Sequence, residues 1–411
     1  MKPARLTKVT LATGLTLASA VPWLLASCAT TDATSPSSPD ASTLLDAGRG
    51  PDAPDAGDAG EDECDESDEN CVTTPVACED ADWCPVATNV SRFYTLTSVW
   101  GSGKNDVWAT GSGGTVIHWD GAEWAPTVVP SETPLPVRDT FRALWGSGPN
   151  DVWIASATDR IYHSDGFKNG DASWVLTPSA TLSDHDRRPL FAAWGTSASD
   201  VRFGGGSSGD FDPEIMEVVF MNQVVRKPSA DAIEWERAKG YTTVYGLWGS
   251  SADDLWLIGD NRPFGPQVAT TLHGTRVGGG DFAWTAVDSA ATVILRGVWG
   301  SSASDVWTVG GSGTIRHFGK DATAWEVVEA PTTANLNAVW GSGPNDVWVV
   351  GDHGTILHWD GKAWTESVAA LPLRQRKPHL YGIWGSGPDD VWIVGNDIAL
   401  HHGPKAPGGT K

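Results

Sequence analysis

One short pattern occurs seven times in this chain, and it leaves few folds open. An apolar run ends in Trp; Gly and then Ser or Thr follow, then a short polar turn, an Asp, an apolar residue and an aromatic. The first copy reads Val99-Trp100-Gly101-Ser102-Gly103-Lys104-Asn105-Asp106-Val107-Trp108. The leading Trp falls at 100, 145, 194, 248, 299, 340 and 384, so the copies lie 41 to 54 residues apart. Units of this length with β-type alternation are propeller blades, each a four-stranded sheet. An all-β, seven-bladed propeller over residues 83–403 is expected.

The sixth copy shows the parts of a blade most plainly. Its innermost strand ends on Trp340, and Gly341-Ser342-Gly343-Pro344-Asn345-Asp346 has the residues that tight turns require. Asp346-Val347-Trp348 opens a second strand and Thr355-Ile356-Leu357-His358-Trp359 reads as a third. Asp360-Gly361 then gives a hairpin turn before Trp364 opens the outermost strand. Such an outer Trp follows each of the first six copies, at 124, 174, 235, 284, 325 and 364. The seventh copy stops near His402 without one, yet a matching run, Trp83-Cys84-Pro85-Val86, precedes the first copy. Residues 83–88 are therefore expected to supply the last blade's outermost strand, leaving no loose edge at the join.

The chain has 23 Trp, and 22 of them fall on these strands; only Trp23 lies outside. Seven lead, six stand in second strands (Phe203 taking that place in the third copy), seven open outer strands, and Trp119 and Trp359 sit in third strands. Each buried Trp removes on the order of 200 Å² from water, so they read as core between blades. The Asp before each second strand reads as a turn-former. His118, His163, His273, His317, His358 and His401 read as structural histidines, because one site cannot collect residues from six blades.

These repeats, with their Asp-Gly-x-x-Trp turns, resemble the Trp-rich propeller repeats of predicted surface lipoproteins from predatory and soil-dwelling bacteria. They are more distantly similar to Asp-box and tectonin-type propellers. The resemblance covers residues 83–403 and implies the fold alone. The turn is one residue shorter than an Asp box, so the sialidase and photosystem-assembly roles of such propellers do not carry over.

The residues ahead of the repeats have different chemistry. Lys2, Arg5 and Lys8 precede an apolar run from Val9 to Leu25, the pattern of an export signal over 1–27. Leu25-Ala26-Ser27-Cys28 resembles the lipobox of bacterial lipoproteins. That resemblance implies cleavage before Cys28, lipidation of its sulfur and anchoring to a bacterial membrane. Ala29 in place of Asp implies the outer membrane or cell surface rather than the inner membrane. Residues 28–63, rich in Ala, Asp, Pro, Ser and Gly, cannot bury enough apolar surface to order themselves, and read as a disordered acidic tether. Residues 64–82 form an acidic segment that, with the next two residues, brings Cys64, Cys71, Cys78 and Cys84. An even number in an exported chain implies two disulfides, with three connectivities open. Residues 404–411 read as a disordered tail.

The formal net charge of −23 excludes a nucleic-acid partner, which needs a basic face. No metal-ligand spacing or cofactor motif is present. Gly204-Gly205-Gly206-Ser207-Ser208-Gly209 fits both a dinucleotide and a nucleophile-elbow pattern, but no helix follows. Function is expected where the repeat varies, on the face where inter-blade loops meet the channel mouth. The long inter-blade loops are 125–140, 175–189 and 366–379, and long second-to-third-strand loops are 204–220 and 260–271. Two of these loops are basic, carrying Arg187 and Arg188, and Arg374 and Arg376. Three residues before each leading Trp comes a variable position, occupied by Thr97, Arg142, Phe191, Tyr245, Arg296, Asn337 and Tyr381. The residue after it is always Ser, Ala or Gly. A ring of Arg, Tyr and Asn suits an anionic or sugar group on a protein or glycan ligand. The chain is expected to be a monomeric surface module for binding or adhesion. A carbohydrate-active enzyme would need carboxylates or a Tyr/His pair beside the arginines; an envelope-assembly scaffold is the third reading.

Overall fold

The computed structural model describes residues 70–403, except 132, 178–187, 213–216, 227–234, 240–242, 261–268, 277–281 and 374–375. The expected signal, Cys28, the tether, Cys64, Arg187, Arg374 and the tail lie outside these residues. The described chain forms seven antiparallel sheets of four strands, the architecture of a seven-bladed propeller. The innermost strands are Leu96–Gly103, Phe141–Gly148, Leu190–Ser197, Thr243–Ser251, Leu295–Ser302, Leu336–Gly343 and Leu380–Gly387. Six sheets run outward in chain order, and the seventh takes its outermost strand from the start of the propeller.

That borrowed strand is Cys84–Pro85, shorter than the expected 83–88, and pairs antiparallel with Ile398–His402. Trp83 stands just ahead of it and is fully buried. Its indole Nε1 donates to Ser367 Oγ at 3.1 Å, and its backbone bridges Ala369 of the neighbouring loop. A Cys78–Cys84 disulfide ties the segment before the strand to the strand itself. Cys71 is also disulfide-bonded, to a partner outside the described residues.

Two contacts repeat around the disc and explain why the motif is written as it is. The leading Trp of each blade lies over the Gly that follows the leading Trp of the next. A Cβ on Gly146 would come 2.4 Å from Trp100 Cη2, and the series closes with Trp384 over Gly101. The second contact joins the second-strand Trp of one blade to the outer Trp of the next. Trp108–Trp174, Trp153–Trp235, Trp256–Trp325, Trp307–Trp364, Trp348–Trp83 and Trp392–Trp124 have centroids 4.9–5.6 Å apart at 69–89°. Edge-to-face rings at this separation add attraction beyond area burial. Trp83 thus takes the place in the last blade that outer Trps take elsewhere.

Blade three departs from the expectation twice. Its residues 204–212 and 217–220 are not loop: the second and third strands run on as Asp200–Asp212 and Glu217–Arg226, a ribbon that extends the blade. The Gly/Ser composition at its start hides the strand, since those residues carry no alternation. The Trp place is also not held by Phe203. In blade one Trp100 pairs with Trp108, and in blade three the equivalent Trp194 pairs with Arg202. Phe203 sits one residue further, opposite Ala193.

Candidate functional site

The sheets taper to a central channel, whose mouth encloses a recess of about 240 Å³. Its walls are small apolar residues such as Ala143, Gly246, Gly297 and Ala338, and its rim is the variable position of six blades: Thr97, Arg142, Phe191, Arg296, Asn337 and Tyr381. Each stands near the start of an innermost strand, so its side chain faces the axis beside the loop from the preceding blade. Tyr245, also expected in this ring, does not line the recess. Its ring leans on Phe191 at 5.4 Å and its hydroxyl donates to Asp260 Oδ2 at 3.0 Å.

The electrostatics of the rim are set by buried acceptors that sequence reading did not single out. Arg296 is exposed, and its Nη1 donates to Asn337 Oδ1 at 2.7 Å. Asn337 Nδ2 in turn donates to Asp352 Oδ1 and to the Leu380 carbonyl, both at 2.9 Å. Asn335 Nδ2 donates to the other Asp352 oxygen at 2.9 Å, and His379 Nδ1 lies 3.1 Å from Asp352. Burial alone would raise the Asp352 pKa. Hydrogen bonds from Asn337 and Asn335, with the charges of His379 and Arg296, outweigh it and hold the carboxyl below its usual range. Burial and the Asp260 charge push the Tyr245 hydroxyl up to about 12. Burial, then the Asp352 charge, raises Tyr381, against the opposing pull of Arg142 and Arg296. Both guanidinium groups therefore act on the Tyr381 hydroxyl. Arg142 is exposed and has no hydrogen-bond or ion-pair partner among the described residues.

The basic loops lie at the same end of the disc. Arg188 and Arg376 are exposed, and the backbone of Arg376 bridges Cys71 while Lys377 N donates to Asn70 O. The described chain thus enters on the channel-mouth side.

The recurrent Asp and His residues gather at the opposite ends of the strands and in separate blades. In six blades the third-strand His gives its Nε2 to the second-strand Asp at 2.7–3.1 Å. Each of these rings packs on the second-strand Trp with centroids 3.9–4.5 Å apart. A hydroxyl four residues before the Asp completes the set in most blades, as in Ser147 Oγ to Asp151 Oδ2 at 2.6 Å. The Asp residues therefore join strands as well as shape turns, and each of these histidines is held by an Asp of its own sheet. No group of three metal-ligating side chains forms among the described residues.

No family model matches the chain, and no curated protein matches it in sequence. Solved structures share its fold. YCF48 bound to a D1 peptide superposes with a TM-score of 0.58 at 16% identity, over 81% of this chain and 100% of that one. YCF48 from Cyanidioschyzon merolae gives 0.55 at 17%, over 79% and 99%. The WD40 β-propeller domain of Doa1 gives 0.55 at 11%, over 80% and 100%. At these identities the likeness is one of architecture: this chain is a Trp-rich β-propeller.

Proposed function

We propose that this propeller is an interaction module whose channel-mouth face receives a protein ligand, and that the module is exported and held to a bacterial outer membrane through Cys28. The carrying observation is the cluster of exposed cationic side chains at that mouth, Arg142 and Arg296 inside and Arg188 and Arg376 outside, on a chain of net charge −23. Opposite charge at one mouth steers an acidic partner there and repels it elsewhere. A structural neighbour that holds a peptide supports the reading.

The same electrostatics argue against catalysis at the mouth. A general acid or base works best with a pKa near the operating pH. Here Asp352 is held ionised and Tyr245 is held protonated, each by its neighbours.

The test is affinity capture from envelope extracts on the immobilised protein, followed by titration with the purified captured protein. Saturable binding lost on Arg142→Glu with Arg296→Glu, and kept on Lys104→Glu at the other end of the disc, is expected. Equal binding by both variants would refute the mouth as the docking face. Labelled palmitate entering the wild type but not Cys28→Ala tests the anchor.

A further inference from the structure

We propose that the group admitted into the channel is a carboxylate, clamped between the guanidinium groups of Arg142 and Arg296 with the Tyr381 hydroxyl as a third donor. The inference rests on the reading of the mouth as a docking face and names the chemistry that face selects.

Donor supply is the first argument. Arg142 has no partner among the described residues, and Arg296 has one of its five N–H groups on Asn337. Tyr381 likewise has no hydrogen-bond partner for its hydroxyl among the described residues. The nearby acceptors are engaged already: Asp352 by Asn335 and Asn337, Asp260 by Tyr245. The rim therefore presents donors, and what it lacks is an acceptor carrying negative charge. Arg142 and Arg296 come from blades two and five and both lower the Tyr381 hydroxyl pKa, so their fields converge over one spot. The relay Asp352–Asn337–Arg296 fixes the second guanidinium before any ligand arrives, which lowers the ordering entropy of binding.

The shape of the recess and the local charge choose among anions. Below the rim the recess is lined by residues such as Val99, Leu144, Val298 and Ile383, yet most of the surface it exposes is polar. Asp260 and Asp352 stand beside the mouth and repel a dianion more than a monoanion. A carboxylate on the partner protein thus satisfies the donors, fits within the recess of about 240 Å³ and meets the least repulsion.

Calorimetric titration of the full chain at low salt with propionate and with inorganic phosphate tests the idea. Saturable binding of propionate is expected, with phosphate weaker. Arg142→Gln and Arg296→Gln should each weaken propionate by about tenfold or more, the loss expected for a hydrogen bond to a charged group. Tyr381→Phe should weaken it by less. Asn337→Ala should weaken it while leaving the circular dichroism spectrum unchanged, because Asn337 positions Arg296 and does not touch the ligand. Absence of saturable propionate binding, tighter phosphate than propionate, or equal binding by wild type and Arg142→Gln would overturn the clamp. The captured partner separates this from the wider proposal: if it binds the glutamine variants as well as the wild type, the clamp falls while the face stands.

Discussion

Blades six and three solve the same problem in different materials. In blade six Trp348 stacks on His358 at 3.9 Å, His358 holds Asp346 at 2.7 Å, and Trp348 meets the outer Trp83 of the next blade edge-on. In blade three Arg202 stands in the Trp place. Its Nε and Nη2 reach Asp200 at 3.0 and 2.7 Å, and Nη2 also reaches the Ala252 carbonyl of blade four at 3.1 Å. Phe282 and Trp194 lie within 5.0 and 5.9 Å of the guanidinium, so rings still cover it. The lesson is that the position calls for a flat group that packs among the rings of its own and the neighbouring blade. An indole meets it with apolar area. A guanidinium meets it with charge, and must stay paired because it is 2% exposed.

The largest effect should come from the regular seam. Trp83→Ala is expected to destabilise the protein by about 3–5 kcal/mol in urea unfolding, as for a fully buried aromatic. Trp284→Ala at the blade-three seam should cost less, about 2 kcal/mol, because Trp284 is only half-buried. Equal losses would erase the distinction between the seams. Arg202→Ala should cost about 3 kcal/mol, since it strands Asp200 in a buried site. A near-neutral result would mean that the charge pair is dispensable. Gly146→Ala comes next, at about 1–3 kcal/mol, because the new methyl overlaps Trp100 and the Asp151 carbonyl.

Acid gives the smallest effect per residue. In Asp106, Asp151, Asp305 and Asp390 burial opposes ionisation, but hydrogen bonds from the paired His and Ser prevail and lower the pKa. A carboxyl depressed in the folded state stabilises the fold above its unfolded pKa of about 3.9, and that stability is lost as pH falls through the folded value. Unfolding free energy should therefore decline below about pH 4, and replacing His118 by Phe should flatten the decline by removing the main partner of Asp106.

The architecture was legible because its evidence is periodic. Seven leading Trps set the blade number, and an outer Trp displaced from 403 onward to position 83 gave away the closure. Contacts between blades were not legible, since a repeat of 41–54 residues says nothing about which Trp lies over which Gly. Counting from the Asp would have placed Arg202 correctly; choosing the nearest aromatic led to Phe203. The ring at the channel mouth was mostly legible from its offset to the Trp. Tyr245 escaped because its orientation depends on Asp260, a residue at the end of another strand. Asp352 and His379 went unmarked for the same reason: each repeats nothing, and each matters only through neighbours 15 to 27 residues away.

The seam made by Trp83 has a consequence for how the molecule is made. The ribosome produces that residue ahead of all seven blades and its sheet partners, Ile398–His402, only with the seventh. Until then the Cys84–Pro85 strand has no ladder to join, although Trp83 can already meet Trp348 and Ser367. A chain that stops short of its seventh blade leaves that strand unpaired and the ring open. Completeness of synthesis is thereby written into the shape itself.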